Sequence, residues 1–383
     1  MINRLAITSL ALGAILLWAG PVHATPQFAR MYRIECSQCH SLPPRLNERG
    51  LAFLASGYRF AEDGERYRTF PFAVWNTADA EWRHSVDVRK GYASRVEIIS
   101  AGTIGSTNAS YFAEWRALSQ SLALNGRLLN RSGRFEDLFV RVPVGFGGAM
   151  AVTMGQFRGL TQVDVSLRLG LSEPLVFSSS LPSTVGARRA RLTSLRGFSA
   201  SGRQPAVRFE YQQSASRRSA DGWFGAVTVP LTGELTIPFT DAASFEFEAR
   251  PKGVLVETYR RWGLTSVGGH TFLGDRRRLG TFVVTHDIAR RVSLLGGIGV
   301  FHGAGATDTR FSAGSEVMLS SNMAAGIRVD HRTARRLDPV VLVYGNGHLP
   351  FGPAVFRQAI RLQIEQRVQR GNHVSTVALS HVF

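Results

Sequence analysis

Beyond Cys36 and Cys39 this 383-residue sequence has no cysteine. That excludes a framework of several disulfides, and it excludes a four-cysteine zinc site, because there is no second Cys-x-x-Cys. Lysine is nearly absent too. Of the 45 basic residues only Lys90 and Lys252 are lysine, and the rest are arginine. No run of 18 apolar residues follows residue 24, so no transmembrane helix is expected there. Long amphipathic helical patterns, which a soluble chain of this length should contain, are few.

The one long apolar stretch lies at the start. Arg4 supplies a positive n-region, Leu5 to Ala19 an apolar h-region, and Val22-His23-Ala24 a small-residue cleavage site. Residues 1–24 therefore read as a secretory signal peptide, and the mature chain would enter the periplasm from Thr25. The stretch is short for an uncleaved spanning anchor. An exported chain does not meet the nucleoid, so the formal charge of +17 does not point to nucleic acid. The arginines are spread along the whole chain. Many fall at alternate positions of strand-like stretches, where they would line a polar interior or face anionic lipid head groups.

Two regions differ in period. Residues 25–80 are compact, aromatic and helix-prone. In "LNERGLAFLASGYRF", Leu46, Leu51, Leu54 and Tyr58 fall on one face, with Asn47 as N-cap and Gly57 as stop, which predicts one short helix. So short a region needs a cofactor or a docking surface to be stable. From about residue 81 the period becomes two. Trp82 alternates with Arg83, and Val140, Val142 and Val144 share one face. Val207, Phe209 and Tyr211 alternate with Arg208 and Glu210, and Phe245 and Phe247 with Glu246 and Glu248. Ile360, Leu362 and Ile364 alternate with Arg361, Gln363 and Glu365.

A soluble β-sandwich alternates as well. Three features favour an all-β, antiparallel outer-membrane β-barrel over residues 81–383. The strands are numerous and joined by turn signals. Polar, arginine-rich stretches such as 178–197 suit longer loops, and the last strand pattern ends on an aromatic, Phe383. At ~19 residues per strand and connection, the region would hold about 16 strands, an even number as such barrels require.

Cys36-Ser37-Gln38-Cys39-His40 has the spacing that attaches a c-type haem. Cys36 and Cys39 can each form a thioether to the cofactor, and the adjacent His40 is the proximal iron ligand. A thioredoxin-like redox pair would need a βαβ context, and a plain disulfide would leave His40 unexplained. Pro43 and Pro44 suit a tight turn whose carbonyls could hold the imidazole N–H. The distal side is open. Met31 lies nearest, His84 shares parity with Trp82, and Met150 and Met154 share an apolar face with Val152. His270, His286, His302, His331, His348 and His373 occur singly and read as surface or turn residues. No distal ligand is assigned, and a five-coordinate or water-ligated iron is compatible with the sequence. No catalytic side chain is expected.

The stretch Pro26-x-Phe28-Ala29-Arg30, Cys36-x-x-Cys39-His40, Pro44, Leu46, Gly50, Phe53, Gly57-Tyr58 resembles the N-terminus of the fused monohaem cytochrome–porins of the bacterial outer membrane. These are proposed to oxidise iron(II) in iron-oxidising bacteria. The family tends to have Thr-Pro-Phe where this chain has Asn47-Glu48-Arg49, and basic residues at Leu51 and Leu54. The resemblance implies one covalently bound haem c in an outer-membrane electron conduit. Extracellular iron(II) would be the donor, and a periplasmic c-type cytochrome or other soluble carrier the acceptor. Lipid would surround the barrel, and a homo-oligomer is compatible with a porin. A passive porin with a haem-bearing plug, and the same conduit run outward, are the alternatives.

Overall fold

The computed structural model describes residues 26–382 except 59, 61–71, 84–87, 106, 123–126, 131–132, 146–148, 159–168, 173, 177–202, 217–218, 232–252, 275–276, 289–290, 304–305, 334–337, 352–357 and 371. The expected signal peptide 1–24, His84, the loop-like stretch 178–197, the strand pattern around Phe245 and Phe247, and the terminal Phe383 lie outside the described residues.

The N-terminal segment holds two helices, not one. The first, α1 (Pro26–Tyr32), starts with proline at its first position, where a missing N–H costs nothing. Seven residues are too few to register as a helical period, which is why the pattern missed it. A 3-10 turn follows at Cys36–Gln38, then the paired short strands β1 (His40–Leu42) and β2 (Arg45–Leu46), then α2 (Glu48–Ala55). Asn47 caps α2 as expected, its side chain accepting from the Gly50 N–H at 3.0 Å. Gly57 ends the helix with φ at +73°, so that its N–H reaches the Leu54 carbonyl and that of Tyr58 the Phe53 carbonyl.

From Ala73 onward the chain is antiparallel sheet: β3 (Ala73–Arg83), β4 (Val88–Thr103), β5 (Ser110–Leu122), the short β6 (Leu128–Asn130), β7 (Arg134–Val144), β8 (Met150–Arg158), β9 (Arg203–Ser216) and β10 (Ser219–Pro230). There follow β11 (Gly253–Trp262), β12 (Thr265–Gly274), β13 (Arg277–Ile288), β14 (Val292–Gly303), β15 (Ala306–Ser320), β16 (Met323–Arg332), β17 (Val340–Phe351), β18 (Gln358–Gln369) and β19 (Asn372–Val382). Setting aside β6, which pairs only with β5, sixteen described strands form a closed barrel. β19 closes it on β3, with Val377 opposite Ala80 and Leu379 opposite Ala78. Closure leaves no unpaired edge, which a sheet in lipid requires. The first strand begins at Ala73, eight residues before the change of period read from the sequence. Its inward Thr77 and Asp79 face outward Asn76 and Ala78, so the apolar contrast that marks a strand is weak there.

Polarity alternates across the wall as the sequence predicts, but with the apolar side outward. On β18, Ile360 and Ile364 are exposed while Arg361, Gln363 and Glu365 are buried. On β9, Phe209 and Tyr211 are exposed while Arg208 and Glu210 are buried. Val140, Val142, Met150, Met154, Val227, Phe282, Ile298, Ile327 and Val343 continue the exposed belt. So large an apolar surface is stable against lipid, not water. Trp223 and Trp262 stand in this outer face with Arg260 lying over both rings, 4.8 and 5.6 Å from their centroids, as at a membrane interface. Four inward arginines are paired: Arg141 with Glu210 at 2.8 Å, Arg328 with Asp330 at 3.1 Å, and Arg310 and Arg332 with Asp308 at 2.9 and 2.7 Å.

The two ends of the barrel differ. At the end where Ala73 joins β3 and Val382 ends β19, connections are short, as at 263–264 and 321–322. The opposite end carries the longest connections, 159–202 and 231–252. The N-terminal segment, residues 26–58, plugs the short-turn half of the lumen. Arg45 pairs with Glu316 at 3.2 Å and with Asp287, Gln27 donates to the Ala101 carbonyl at 2.5 Å, and Asn346 donates to the Pro43 carbonyl at 3.2 Å. From the opposite side part of the long β8–β9 connection folds inward. Glu365 accepts the Leu171 and Ser172 N–H groups at 2.9 Å, and Ser312 accepts that of Val176 at 3.3 Å. The two insertions meet where Leu42 of the plug and Leu169 of the infolded connection pack with Leu342 and Tyr344.

Candidate functional site

The geometry of the site starts from one turn. The Cys39 N–H returns to the Cys36 carbonyl at 2.9 Å, which folds both thiols onto the 3-10 turn. Both are buried, and Cys36, fully so, packs against Ala29 of α1. His40 opens β1, and its Nδ1 lies 3.2 Å from the Pro44 carbonyl oxygen. This is the bond expected of the diproline turn. It makes Nδ1 the donor and leaves the Nε2 lone pair for a metal. Burial pushes the imidazole pKa down to about 4, against the raising effect of the Pro44 and Arg45 backbone, and the nearby Arg361 guanidinium lowers it further. The ring is therefore neutral at pH 7, as a ligand must be. Burial pushes the Cys39 thiol up to about 11, with Arg49 opposing.

Helix α2 rests directly on this turn. Asn47 donates its side-chain amide to the Ser37 carbonyl at 3.0 Å and its backbone N–H to the Cys39 carbonyl at 2.9 Å. Arg49 donates to Gln38 Oε1 at 2.7 Å. Gly50 fits because it has no side chain: a Cβ there would stand 2.0 Å from the Cys39 carbonyl oxygen. Behind the turn, Phe28, Phe53 and Tyr58 pack edge-on and stacked at 5.0–6.0 Å, and Tyr58 stacks on Phe112 of β5 at 6.0 Å. Aromatic packing thus joins the plug to the wall.

Cys39 and His40 line a cavity of about 730 Å³ between plug and wall, within the range of about 300–1,000 Å³ typical of ligand and cofactor pockets. Ile34, Leu46, Phe53 and Phe60 make its plug side apolar. Strands β3, β4, β5, β18 and β19 make the other side polar, with Arg95, Glu97, Arg116 and Arg361 among its groups. Cys39 and a neutral His40 at the edge of a large half-apolar cavity fit a covalently attached haem, with Cys36 on the same turn but packed on Ala29 and not lining the cavity. Glu97, Glu114 and Glu136 also converge, with carboxylate oxygens within 4.8 Å of one another. Arg116 donates to Glu97 at 2.6 Å and to Glu136, so this group is an ion-pair network.

The candidates for the far side of the iron are dispersed. Met31 is half-buried on α1 and does not line the cavity. Met150 and Met154 face outward, as their shared face with Val152 predicts. His286, His302, His331 and His373 lie on outward positions of their strands. His270 and His348 depart from the surface reading, for both are buried in the lumen, and His270 is hydrogen-bonded to the Thr281 hydroxyl. Gly268 and Gly269 beside His270, and Gly345 and Gly347 beside His348, erase the contrast between faces that assigns parity. Among the described lining residues His40 is the sole imidazole, and no methionine joins it. Sequence reasoning also missed Arg45, whose role depends on Asp287 and Glu316 far away in the chain.

No protein-family model and no curated protein matches the chain. Solved structures do. OmpF of Salmonella typhi in complex with daunomycin is 10% identical with a TM-score of 0.51, over 82% of this chain and 97% of that one. The anion-selective porin of Comamonas acidovorans is 11% identical with a TM-score of 0.49, over 82% and 98%. The channel DcaP of Acinetobacter baumannii is 9% identical with a TM-score of 0.48, over 82% and 96%. The likeness to OmpF is one of fold: the chain is a closed sixteen-strand barrel of the outer-membrane porin type, with its own N-terminal plug.

Proposed function

We propose that this protein is an outer-membrane electron conduit whose prosthetic group is one haem c, attached through Cys36 and Cys39 and ligated by His40. One observation carries the reading: His40, oriented by the Pro44 carbonyl, stands with Cys39 at the edge of a cavity of about 730 Å³ inside a membrane barrel. A haem bound there supplies reversible one-electron chemistry at iron. The chain's own residues do the rest. Pro44 fixes the imidazole tautomer, Gly50 and Asn47 hold the turn, Arg45 anchors the plug, and the wall limits water around the site.

Short turns at the plug end and long connections at the other match periplasmic and extracellular faces. The plug would then lie toward the periplasm, as delivery to a soluble periplasmic cytochrome requires, with the cavity running along the wall toward the outer mouth. Extracellular iron(II) is the donor suggested by the resemblance of Pro26–Tyr58: it loses one electron to become iron(III), and the periplasmic carrier gains that electron. Oxidation outside keeps the insoluble product out of the periplasm.

The porin-type fold favours a second reading, a passive porin with a haem-bearing plug. Insertion into the lumen from both ends argues against free passage of solute. Iron(II) added to the oxidised full-length protein in detergent separates the two. The conduit gives reduced-haem absorbance at a physiological rate; haem that stays oxidised leaves the porin.

A further inference from the structure

We infer that Arg361, assisted by Arg95, is the carboxylate-binding element of the cavity and holds the propionates of the haem. This rests on the proposed haem attachment and adds a positioning residue from the barrel wall to it.

Arg361 lies on an inward position of β18 and is 6% exposed. Its Nε donates to Asn346 Oδ1 at 3.2 Å, and it has no carboxylate partner among the described residues. This distinguishes it from the paired lumen arginines Arg141, Arg310, Arg328 and Arg332. A second guanidinium, Arg95 of β4, lines the same cavity. Arg95 itself reaches Glu97 at 3.4 Å and lies over the Trp75 ring at 5.4 Å, with its side chain 38% exposed. Two cations facing one space, one of them buried, call for an anion between them.

Placement selects which anion. Both arginines line the same cavity as Cys39 and His40. Asn346 ties them mechanically: it accepts from Arg361 and donates to the Pro43 carbonyl, one residue from the carbonyl that orients His40. A planar macrocycle held at its apolar side by Cys39 and His40 carries its two carboxylates at one edge. The polar wall with Arg361 and Arg95 is the complementary side. A translocated solute anion could use the same pair, and the test separates these sources.

The full-length protein is produced in a host that attaches c-type haem, and folding is checked by heat-modifiable migration. The haem-loaded wild type, Arg361→Gln, Arg361→Lys and Arg95→Gln are then compared by resonance Raman spectroscopy in the propionate-bending region and by midpoint potential. A shifted propionate band and a lowered potential in Arg361→Gln, a smaller shift in Arg95→Gln and partial recovery in Arg361→Lys are expected. Unchanged propionate bands in folded, haem-loaded Arg361→Gln and Arg95→Gln overturn the inference. So does an unchanged band with altered anion selectivity in planar bilayers, which would assign the pair to solute. Should Arg361→Gln not fold, Arg95→Gln alone decides. A wild type without covalent haem removes the proposed function itself, an outcome distinct from these.

Discussion

Each residue of the Cys36–His40 turn is restrained by a neighbour that leaves little slack. Gly50 is the tightest of these contacts. Alanine there would place a Cβ 2.0 Å from the Cys39 carbonyl oxygen, and backbone, not a flexible side chain, would have to move. Gly50→Ala is therefore expected to abolish haem attachment while leaving the barrel intact. Haem-stained electrophoresis read beside heat-modifiable migration checks this, and full haem staining of Gly50→Ala would contradict it. Asn47→Ala removes the cap of α2 and the bond to Ser37, a loss of about 1 kcal/mol for the cap. Reduced haem yield, not complete loss, is expected for that variant, measured by pyridine haemochrome against protein. These contacts show why part of the site is legible from sequence. Spacing alone makes Cys36, Cys39 and His40 the candidates, and a diproline turn foretells the carbonyl on His40. Arg45 and Asn346 cannot be found that way, because Arg45 meets Asp287 and Glu316 across 242 and 271 residues, and Asn346 meets Pro43 across 303, only when the barrel closes. Arg361 is placed beside the turn by the same closure.

At the level of elements, the plug is held to the wall by the ion pairs of Arg45 together with an aromatic cluster of Phe28, Phe53 and Tyr58 that continues onto Phe112. Arg45 is the main anchor, reaching Asp287 on β13 and Glu316 on β15. Breaking a buried pair from one side costs about 3–5 kcal/mol, because a charge is left stranded. In Arg45→Ala the plug should detach from that wall without unfolding the barrel. Higher single-channel conductance in planar bilayers than for wild type is the expected result, and equal conductance would show that other contacts suffice. The infolded connection has a matching anchor in Glu365, which holds the Leu171 and Ser172 N–H groups. The strands were readable wherever ionised and aliphatic residues alternate, as in β9 and β18. The contrast fails at the weakly patterned start of β3 and around His270 in glycine-rich β12, whose inward position the pattern does not assign.

Over the whole molecule, the wall reverses the polarity of a soluble protein. Its outward positions belong to lipid, so the same substitution should behave oppositely on neighbouring residues. Ile364→Arg puts a charge in the exposed apolar belt, where an arginine costs about 2–4 kcal/mol near the bilayer midplane. Gln363→Arg faces the lumen and should be tolerated far better. Urea titration of folding in lipid vesicles is expected to destabilise the first variant much more than the second; equal effects would contradict the assigned faces. Alternation and frequent turn signals indicate the class of fold, but not which end the plug fills or that a second insertion meets it.

The central claim is that this barrel carries a covalent haem on its plug, and intact-mass spectrometry of the denatured protein tests it most directly. A mass exceeding the polypeptide by one haem, lost in the Cys36→Ala, Cys39→Ala double variant, is the result the account predicts. A wild type produced with haem-attachment machinery and weighing only its polypeptide would contradict it.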